Sequence, residues 1–231
     1  MVSTLFTTRS SDGSGLTELG ASSPPYDWFN LALHVGDSKD DVCANRALLS
    51  QEAATPIFMN QIHGDGIVVI DGISQIEPTA DALITQESGI ALCVLVADCI
   101  PLLLWDSKID LVAAVHVGRR GLMNNITGKV VERMEAMGAR SIIASLGPSI
   151  CGTCYEVGED VFTEVVNQFP LAKSQTRDGK YALDLPAGLV GVLSECGIAS
   201  EVSQQCTAES SDLFSYRRDG VCGRQAGVIW I

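Results

Sequence analysis

Three residues far apart along the chain carry side chains that bind metals or act in catalysis: His63, Cys99 and His116. Each lies at the end of an apolar run and is followed within two residues by Gly or Pro, where the backbone must turn. A polar side chain at the end of a buried strand projects into the crevice beyond the sheet edge. Three ligands from separate turns, with a fourth position left open, are the usual arrangement of catalytic zinc. We therefore predict a metal centre formed by these residues, called here the two-histidine site.

The same side chains suit two other chemistries. Two imidazoles and one thiolate are also the ligands of blue copper sites, although a multicopper oxidase needs many more imidazoles than the three histidines of this chain. Without a metal, Cys99 could act as a nucleophile, with His116 as its base and an Asp orienting the imidazole. The remaining histidine, His34, follows an apolar alternation and is interpreted as structural or exposed.

Two carboxylates, Asp81 and Asp98, accompany these residues in the sequence. An Asp beside a metal-binding Cys commonly orients a ligand, and the alternative is a solvated loop carboxylate. The pair Cys151 and Cys154 forms a Cys-x-x-Cys motif, which suggests redox chemistry or half of a zinc site. Because no second Cys pair completes a four-Cys site, we interpret these two as buried or loop thiols.

Strands and helices interleave along the chain, which predicts a layered α/β (α+β) domain with a mixed β-sheet flanked by helices. The predicted strands cover residues 2–8, 30–35, 57–59, 67–70, 141–146 and 226–231, together with the continuous apolar runs within residues 81–121. The predicted helices begin after Ser38, at residue 126, at residue 160 and after Asp184. Residues 10–25, rich in Ser, Gly and Pro, are predicted to form a long loop. We expect a single domain over residues 1–231.

Composition restricts the partners of the protein. A net charge of −13 argues against a nucleic-acid surface, which needs clustered Lys and Arg. The most apolar stretch, residues 89–105, is shorter than the roughly 20 residues of a membrane span and contains Asp98 and Pro101. The N-terminus lacks the features of a signal peptide, and eight Cys in 231 residues are too sparse for a disulfide scaffold. We expect a cytoplasmic protein with reduced thiols.

A series of motifs carries a resemblance that spacing alone does not. In chain order these are NQIHG (60–64), ADA (80–82), ADCIP (97–101), HVGRRG (116–121), LGPSI (146–150), YEVG (155–158), CT (206–207) and FSYRRDG (214–220). Together they resemble the laccase-domain, or YfiH-type, family, once labelled polyphenol oxidase and later understood as purine nucleoside phosphorylases. The resemblance runs from about residue 30 to the C-terminus and implies a YfiH-like fold.

The resemblance implies a function and its residues. It places the family's zinc ligands on the two-histidine site, with copper as the alternative metal. It implies phosphorolysis of adenosine, inosine and methylthioadenosine, with some adenosine deamination, so the partners are a purine nucleoside and phosphate. The residues assigned to substrate or phosphate are Asn30, Arg46 and Arg120, while Asp81 and Asp98 support the ligands. We expect a monomer or a weak homodimer.

The chain departs from the family pattern after the second histidine ligand. Val117 replaces Ala and Arg119 replaces Trp, while Arg120 is retained. The added positive charge alters the expected pocket wall. It is also the reason to retain an alternative interpretation, in which the protein is a non-enzymatic sensor or binding protein. Arg217 and Arg218 are alternative anion contacts, or they brace their own loop through an internal ion pair.

Overall fold

The computed structural model describes residues 1–10, 20–73 and 76–231. Its strands are β1 (Ser3–Phe6), β2 (Thr55–Ile57), β3 (Ile67–Ile70), β4 (Ala82–Thr85), β5 (Ile90–Val96), β6 (Ile100–Asp106), β7 (Val112–Val117), β8 (Ile142–Leu146), β9 (Lys173–Gln175), β10 (Tyr181–Leu183), β11 (Ala199–Val202) and β12 (Gln225–Trp230). Its helices are α1 (Lys39–Glu52), α2 (Arg119–Met123), α3 (Ile126–Ala136), α4 (Glu159–Gln168), α5 (Leu185–Glu195) and α6 (Tyr216–Asp219), with a 3₁₀ turn at Pro170–Ala172. Among these helices, none has the length and apolar character that crossing a bilayer requires.

The strands form two large mixed sheets. The larger sheet has the order β11-β8-β6-β7-β4-β3, with parallel pairs at both edges and antiparallel pairs at its centre. The second sheet has the order β1-β12-β5-β2, in which β2 runs parallel to β5. Strands β9 and β10 form a separate small ribbon. The predicted mixed α/β class is confirmed, although the strands divide between sheets that the sequence did not distinguish.

Three apolar clusters hold these layers together. One lies between the two large sheets and joins side chains of β5, such as Leu92, to side chains of β6 and β7. A second packs α3 and α5 against the other face of the larger sheet, and a third packs α1 against the outer face of the second sheet. All positions of β5 and β7 are buried, as expected for strands that are apolar on both faces. The result is a helix–sheet–sheet–helix arrangement.

The predicted helices are confirmed, and local capping explains where they begin. The Ser38 side chain accepts a hydrogen bond from the backbone N–H of Asp41 at 3.4 Å, and Asp184 accepts one from Ala187 at 2.9 Å. These contacts satisfy N–H groups that the first helical turn leaves unpaired. Short helices α2 and α6 were not predicted.

Two strand predictions were wrong in position. Residues 30–35 form turns, because the Asn30 side chain bonds the backbone of Ala32 through both its oxygen and its nitrogen. Strand β2 lies two residues before the predicted one, because it pairs with the start of β5. Of the predicted loop at 10–25, residues 11–19 lie outside the described residues.

Candidate metal centre and adjoining cavity

The fold brings the three residues of the two-histidine site together. His63 lies in the loop between β2 and β3, Cys99 in the tight turn between β5 and β6, and His116 near the end of β7. Their ligand atoms all lie within 4.8 Å of one another, so the group could hold a metal ion. The Cys99 Sγ is 3.9 Å from His63 Nε2, and the two imidazole rings meet edge to face with centroids 4.6 Å apart.

The buried carboxylate of Asp81 holds the imidazole of His116 and the backbone of the turn that carries His63. Its Oδ1 accepts the His63 backbone N–H at 3.0 Å and lies 2.8 Å from His116 Nδ1. Its Oδ2 accepts the backbone N–H groups of Gly64 at 2.7 Å and Ile62 at 3.3 Å. When His116 Nδ1 donates to this carboxylate, its Nε2 is left as the lone-pair atom for a ligand role. Burial opposes ionisation of Asp81, but these hydrogen bonds outweigh it and lower the pKa of the carboxyl.

The side chain of Asp98 holds the turn that carries Cys99. Its Oδ1 accepts the hydroxyls of Thr207 and Ser215, each at 2.6 Å, and its Oδ2 accepts the Arg217 backbone N–H at 2.7 Å. Asp98 has a φ of 92°, a conformation that a non-glycine residue adopts only when its surroundings enforce it. The hydrogen bonds supply that constraint and tie the Cys99 turn to the C-terminal part of the chain.

Gly118 leaves the space in which the three ligands meet. A Cβ at this position would lie 2.9 Å from Cys99 Sγ and 3.4 Å from His63 Cδ2. The backbone of Gly118 is extended, with φ −90° and ψ −175°, so it is the space that calls for glycine here, not the backbone conformation. Two imidazoles and a thiolate converging on such a space fit zinc or copper, both of which accept nitrogen and sulfur ligands.

The electrostatics of the site favour a thiolate beside a protonated imidazole. Burial raises the pKa of Cys99, but the charge and hydrogen bonds of His116 and His63 outweigh it and bring the pKa to about 6. Burial lowers the pKa of His116, but the Cys99 thiolate and Asp81 raise it to about 9. The sulfur is therefore largely ionised at neutral pH, as both a metal ligand and a nucleophile require.

A cavity of about 440 Å³ adjoins the two-histidine site. Besides the three ligands, its lining includes aromatic, cationic and amide side chains: His34, Gln61, Tyr155, Tyr216, Arg217 and Arg224. The volume lies within the range of small-molecule sites in proteins. Gln61 is held in place by two hydrogen bonds of 2.8 Å to the backbone of Leu95, so the wall beside His63 is rigidly attached to β5.

The residues expected to contact substrate or phosphate lie outside the lining of this cavity. Asn30 is fully buried, and its Oδ1 accepts the backbone N–H of Arg224 at 2.9 Å, so it supports the segment that carries a cavity arginine. Arg46 donates to Leu31 O at 2.9 Å, pairs with Glu77 at 2.6 Å and stacks on the ring of Phe58. The side chain of Arg120 is exposed on α2.

The two neighbouring arginines of the C-terminal motif have different surroundings. Arg218 donates to three backbone carbonyls, those of Thr207, Ser210 and Leu213, and so braces its own loop. Arg217 lines the cavity, donates to the carbonyl of Glu156 at 2.9 Å and lies 5.2 Å above the ring of Tyr155. Only the structure separates the two roles that the sequence left open.

Several cavity residues were not singled out from the sequence. His34 was interpreted as structural or exposed; it is exposed, and it also lines the cavity, where partial burial and then the charge of Arg224 lower its pKa. Tyr155 and Tyr216 lie within quoted motifs but were given no role. Arg119, which stands where the family has Trp, points to α4, with its Nη1 3.9 Å from Glu164 Oε2.

Comparisons with known proteins place nearly the whole chain in one family, whose description differs from the names of the curated relatives. The model of the family described as multi-copper polyphenol oxidoreductase laccase matches residues 6–231. The chain is 42% identical over 221 residues to a purine nucleoside phosphorylase of Streptomyces coelicolor, covering 92% of this chain and 91% of that protein. It is 40% identical over 237 residues to one of Corynebacterium glutamicum, covering 98% and 93%.

Solved structures of similar proteins extend the same comparison to the fold. The hypothetical protein YfiH of Bacillus licheniformis superposes with a TM-score of 0.88 at 29% identity, covering 100% of this chain and 92% of that one. A Neisseria meningitidis protein described as DUF152 gives a TM-score of 0.85 at 34% identity, covering 100% and 94%. The likeness therefore extends over the whole length of this chain.

Proposed function

The chain belongs to the multi-copper polyphenol oxidoreductase laccase family, and its relatives in Streptomyces coelicolor and Corynebacterium glutamicum are named purine nucleoside phosphorylases. From these two findings we propose that it is a zinc-dependent purine nucleoside phosphorylase. The proposed reaction transfers the ribosyl group of adenosine, inosine or S-methyl-5′-thioadenosine from the purine to inorganic phosphate. Deamination of adenosine is proposed as a side activity. The observation that carries the proposal is a His-Cys-His group opening onto a cavity that also holds two arginines.

The proposed metal ligands are His63, Cys99 and His116. Three nitrogen and sulfur donors, with space kept by Gly118, match a zinc site in which a reactant can take the fourth position. When bound, zinc supplies Lewis acidity that stabilises negative charge developing on the reactant. Asp81 holds the His116 ring and the His63 backbone in position for this role. Asp98 holds the turn that carries the Cys99 sulfur.

The proposed phosphate contacts are Arg217 and Arg224. A phosphate must be held in line with the glycosidic carbon, and guanidinium groups do this through charge and paired N–H donors. Hydrogen bonds to neighbouring carbonyls hold both side chains, Arg217 to Glu156 and Arg224 to Cys222 and Gly223. Guanidinium has five N–H donors, so these contacts leave capacity for an anion.

The aromatic rings of Tyr155 and Tyr216 are proposed to hold the purine. Both line the cavity, and a flat base gains stacking energy on such a ring. The apolar side chains of Ile150 and Leu95 complete that part of the wall. The flat base would thus contact aromatic rings while the anionic phosphate contacts guanidinium groups, and these different contacts orient the nucleoside in the cavity.

A copper oxidase fits the ligand set less well. The chain has three histidines, all within the described residues, and only two of them belong to the group that could bind a metal. A multicopper centre requires several further imidazoles.

A metal-independent cysteine hydrolase remains a second candidate, because one observation favours it. The contact of 2.8 Å between Asp81 and His116, beside a thiol whose pKa is lowered to about 6, also has the form of a Cys-His-Asp arrangement. Covalent trapping of Cys99 by a substrate analogue, with activity unchanged by a chelator, would support that reaction instead.

Product analysis with adenosine tests the proposed function. Zinc-loaded protein should form adenine and ribose 1-phosphate only when phosphate is present, and inosine would reveal deamination. Cys99→Ala should lose both activities and the zinc of this site, whereas Cys43→Ser, on the exposed side of α1, should keep both. Equal yields of adenine with and without phosphate would contradict phosphorolysis, and retained activity in Cys99→Ala would contradict the metal site.

A further inference from the structure

A second group of sulfur ligands lies outside the two-histidine site. Cys151, Cys154 and Cys206 have their Sγ atoms within 4.8 Å of one another and are called here the three-thiol cluster. Cys206 is buried with 8% exposure, and the other two are half-buried. The sequence displays only the Cys-x-x-Cys pair, because Cys206 arrives from a segment more than fifty residues further along the chain.

Backbone pairing between two segments builds this cluster. The N–H of Thr207 donates to the carbonyl of Ser149 at 3.1 Å, within a parallel bridge between Ser149 and Cys206. The N–H of Cys151 then donates to Cys206 Sγ at 3.3 Å. The main chain therefore brings the three cysteines to one place, and the Cys151 N–H contacts the Cys206 sulfur directly.

A carboxylate stands next to the sulfurs. Glu209 lies in the turn that begins at Cys206, and its Oε1 accepts a hydrogen bond from Cys154 Sγ at 3.4 Å. The same carboxylate pairs with Arg177. Three sulfurs that lie close to one another, with a carboxylate oxygen in contact with one of them, are ligands of the kinds that zinc accepts in tetrahedral sites.

We propose that the three-thiol cluster is a second zinc site, with Cys151, Cys154, Cys206 and Glu209 as its four ligands. On coordination each thiol gives its proton to solvent, so three thiolates and one carboxylate surround the divalent cation. The two excess negative charges are partly balanced by Arg177. Four protein ligands leave no position for a reactant, which makes the site structural.

This second zinc would join two segments that shape the cavity. The N–H of Ile150, beside Cys151, donates to Asp98 O at 3.0 Å, and Thr207, beside Cys206, donates to Asp98 Oδ1 at 2.6 Å. Asp98 directly precedes Cys99. A zinc ion that ties the two segments together therefore stabilises the turn that carries Cys99 and the wall that carries Tyr155.

Zinc counting on reduced, full-length protein tests the proposal. Wild-type protein should bind two zinc ions per chain, whereas Cys99→Ala and Cys154→Ser should each bind one. Cys196→Ser, an exposed thiol at the end of α5, serves as the matched control and should bind two. One ion on wild-type protein with none on Cys99→Ala would overturn the second site. One ion on wild-type protein and one on Cys99→Ala would instead contradict only the two-histidine site, so the two proposals fail separately.

Cobalt substitution identifies which sulfurs bind. Thiolate-to-cobalt charge-transfer absorption grows with the number of thiolate ligands, so the Cys99→Ala protein should show about three times the intensity per ion of Cys154→Ser. The Cys99→Ala arm keeps all three thiols of the cluster, so it decides the question even if Cys154→Ser does not fold. A Cys151–Cys154 disulfide found by mass spectrometry in protein kept reduced, with no cobalt band in Cys99→Ala, would also overturn the proposal.

Discussion

The two-histidine site and the three-thiol cluster place sulfur in opposite surroundings. Two imidazoles face Cys99, and although burial raises its pKa, the charge of His116 and the hydrogen bonds of both histidines outweigh that effect and lower the pKa to about 6. Burial and hydrogen bonds with Cys151 and Glu209 raise the pKa of Cys154 to about 12. The first group adjoins a cavity, and the second is the group for which we propose a closed site of four ligands. The difference shows how one chain can use thiols for reactivity in one place and for structure in another.

The two regions are nevertheless joined through one residue. Asp98 accepts hydrogen bonds from Thr207 and Ser215, and its backbone carbonyl accepts the N–H of Ile150. The cluster and the Cys99 turn therefore share a rigid connection. Four experiments separate their properties, beginning with the largest expected effect.

Alkylation should distinguish the sulfurs of the two regions. In metal-free protein at pH 7, iodoacetamide should modify Cys99 on the order of a hundredfold faster than Cys154, because only Cys99 is largely thiolate. Cys99 has a lowered pKa of about 6, so its rate should hold above that pH and fall as the pH drops through 6 and the thiolate takes up a proton. Peptide mass spectrometry over time measures both rates. Equal alkylation rates for Cys99 and Cys154 would contradict the proposed difference in thiol pKa between the two regions.

Asp81→Asn should weaken zinc binding at the two-histidine site by about 10- to 100-fold, because an amide cannot accept both the His116 Nδ1–H and the backbone N–H groups of the turn that carries His63. Asp106→Asn is the matched control, since this buried carboxylate also accepts backbone N–H groups, such as those of Lys108 and Ser141, away from either metal site. Both variants should be less stable, but only the first should lose zinc affinity in competition titrations. Unchanged affinity in Asp81→Asn would contradict its positioning role.

Gly118→Ala should lower zinc affinity at the two-histidine site about tenfold, because crowding of the Cys99 sulfur costs roughly 1–2 kcal/mol. Gly158→Ala provides a matched control: Gly158 also precedes a helix with extended backbone, and an added Cβ there meets nothing within 4 Å. The three-thiol cluster should keep its zinc in both variants. A loss of zinc in Gly158→Ala would show that replacing a glycine before a helix is enough to cause the effect, without crowding of the sulfur.

Arginine substitutions should show which region meets phosphate. Arg217→Ala should raise the KM for phosphate about fivefold, for the loss of about 1 kcal/mol of charged hydrogen bonding in the cavity. Arg177→Ala, beside the three-thiol cluster, and Arg120→Ala, exposed on α2, should change that KM less than twofold. Steady-state kinetics at varied phosphate measures all three. A larger effect in Arg120→Ala would restore it as the phosphate contact.

Local features of the sequence were enough to predict many elements. Continuous apolar runs predicted buried strands, and Ser38 and Asp184 predicted where helices begin, because hydrophobic periodicity and capping act over a few neighbouring residues. The ends of those apolar runs also indicated His63, Cys99 and His116 as residues that could meet. The sequence also shows directly that these residues would supply two nitrogen ligands and one sulfur ligand.

Tertiary structure alone decided which distant side chains share a site. Cys206 joins Cys151 only because parallel pairing of β8 and β11 continues into the bridge at Ser149. In the same way, Arg224 reaches the cavity through a backbone bond to Asn30, while Arg120 remains on an exposed helix. Local patterns determine the elements, since their energies are set by near neighbours. Contacts between loops depend on strand order and register over the whole chain, and no short stretch of sequence contains that information.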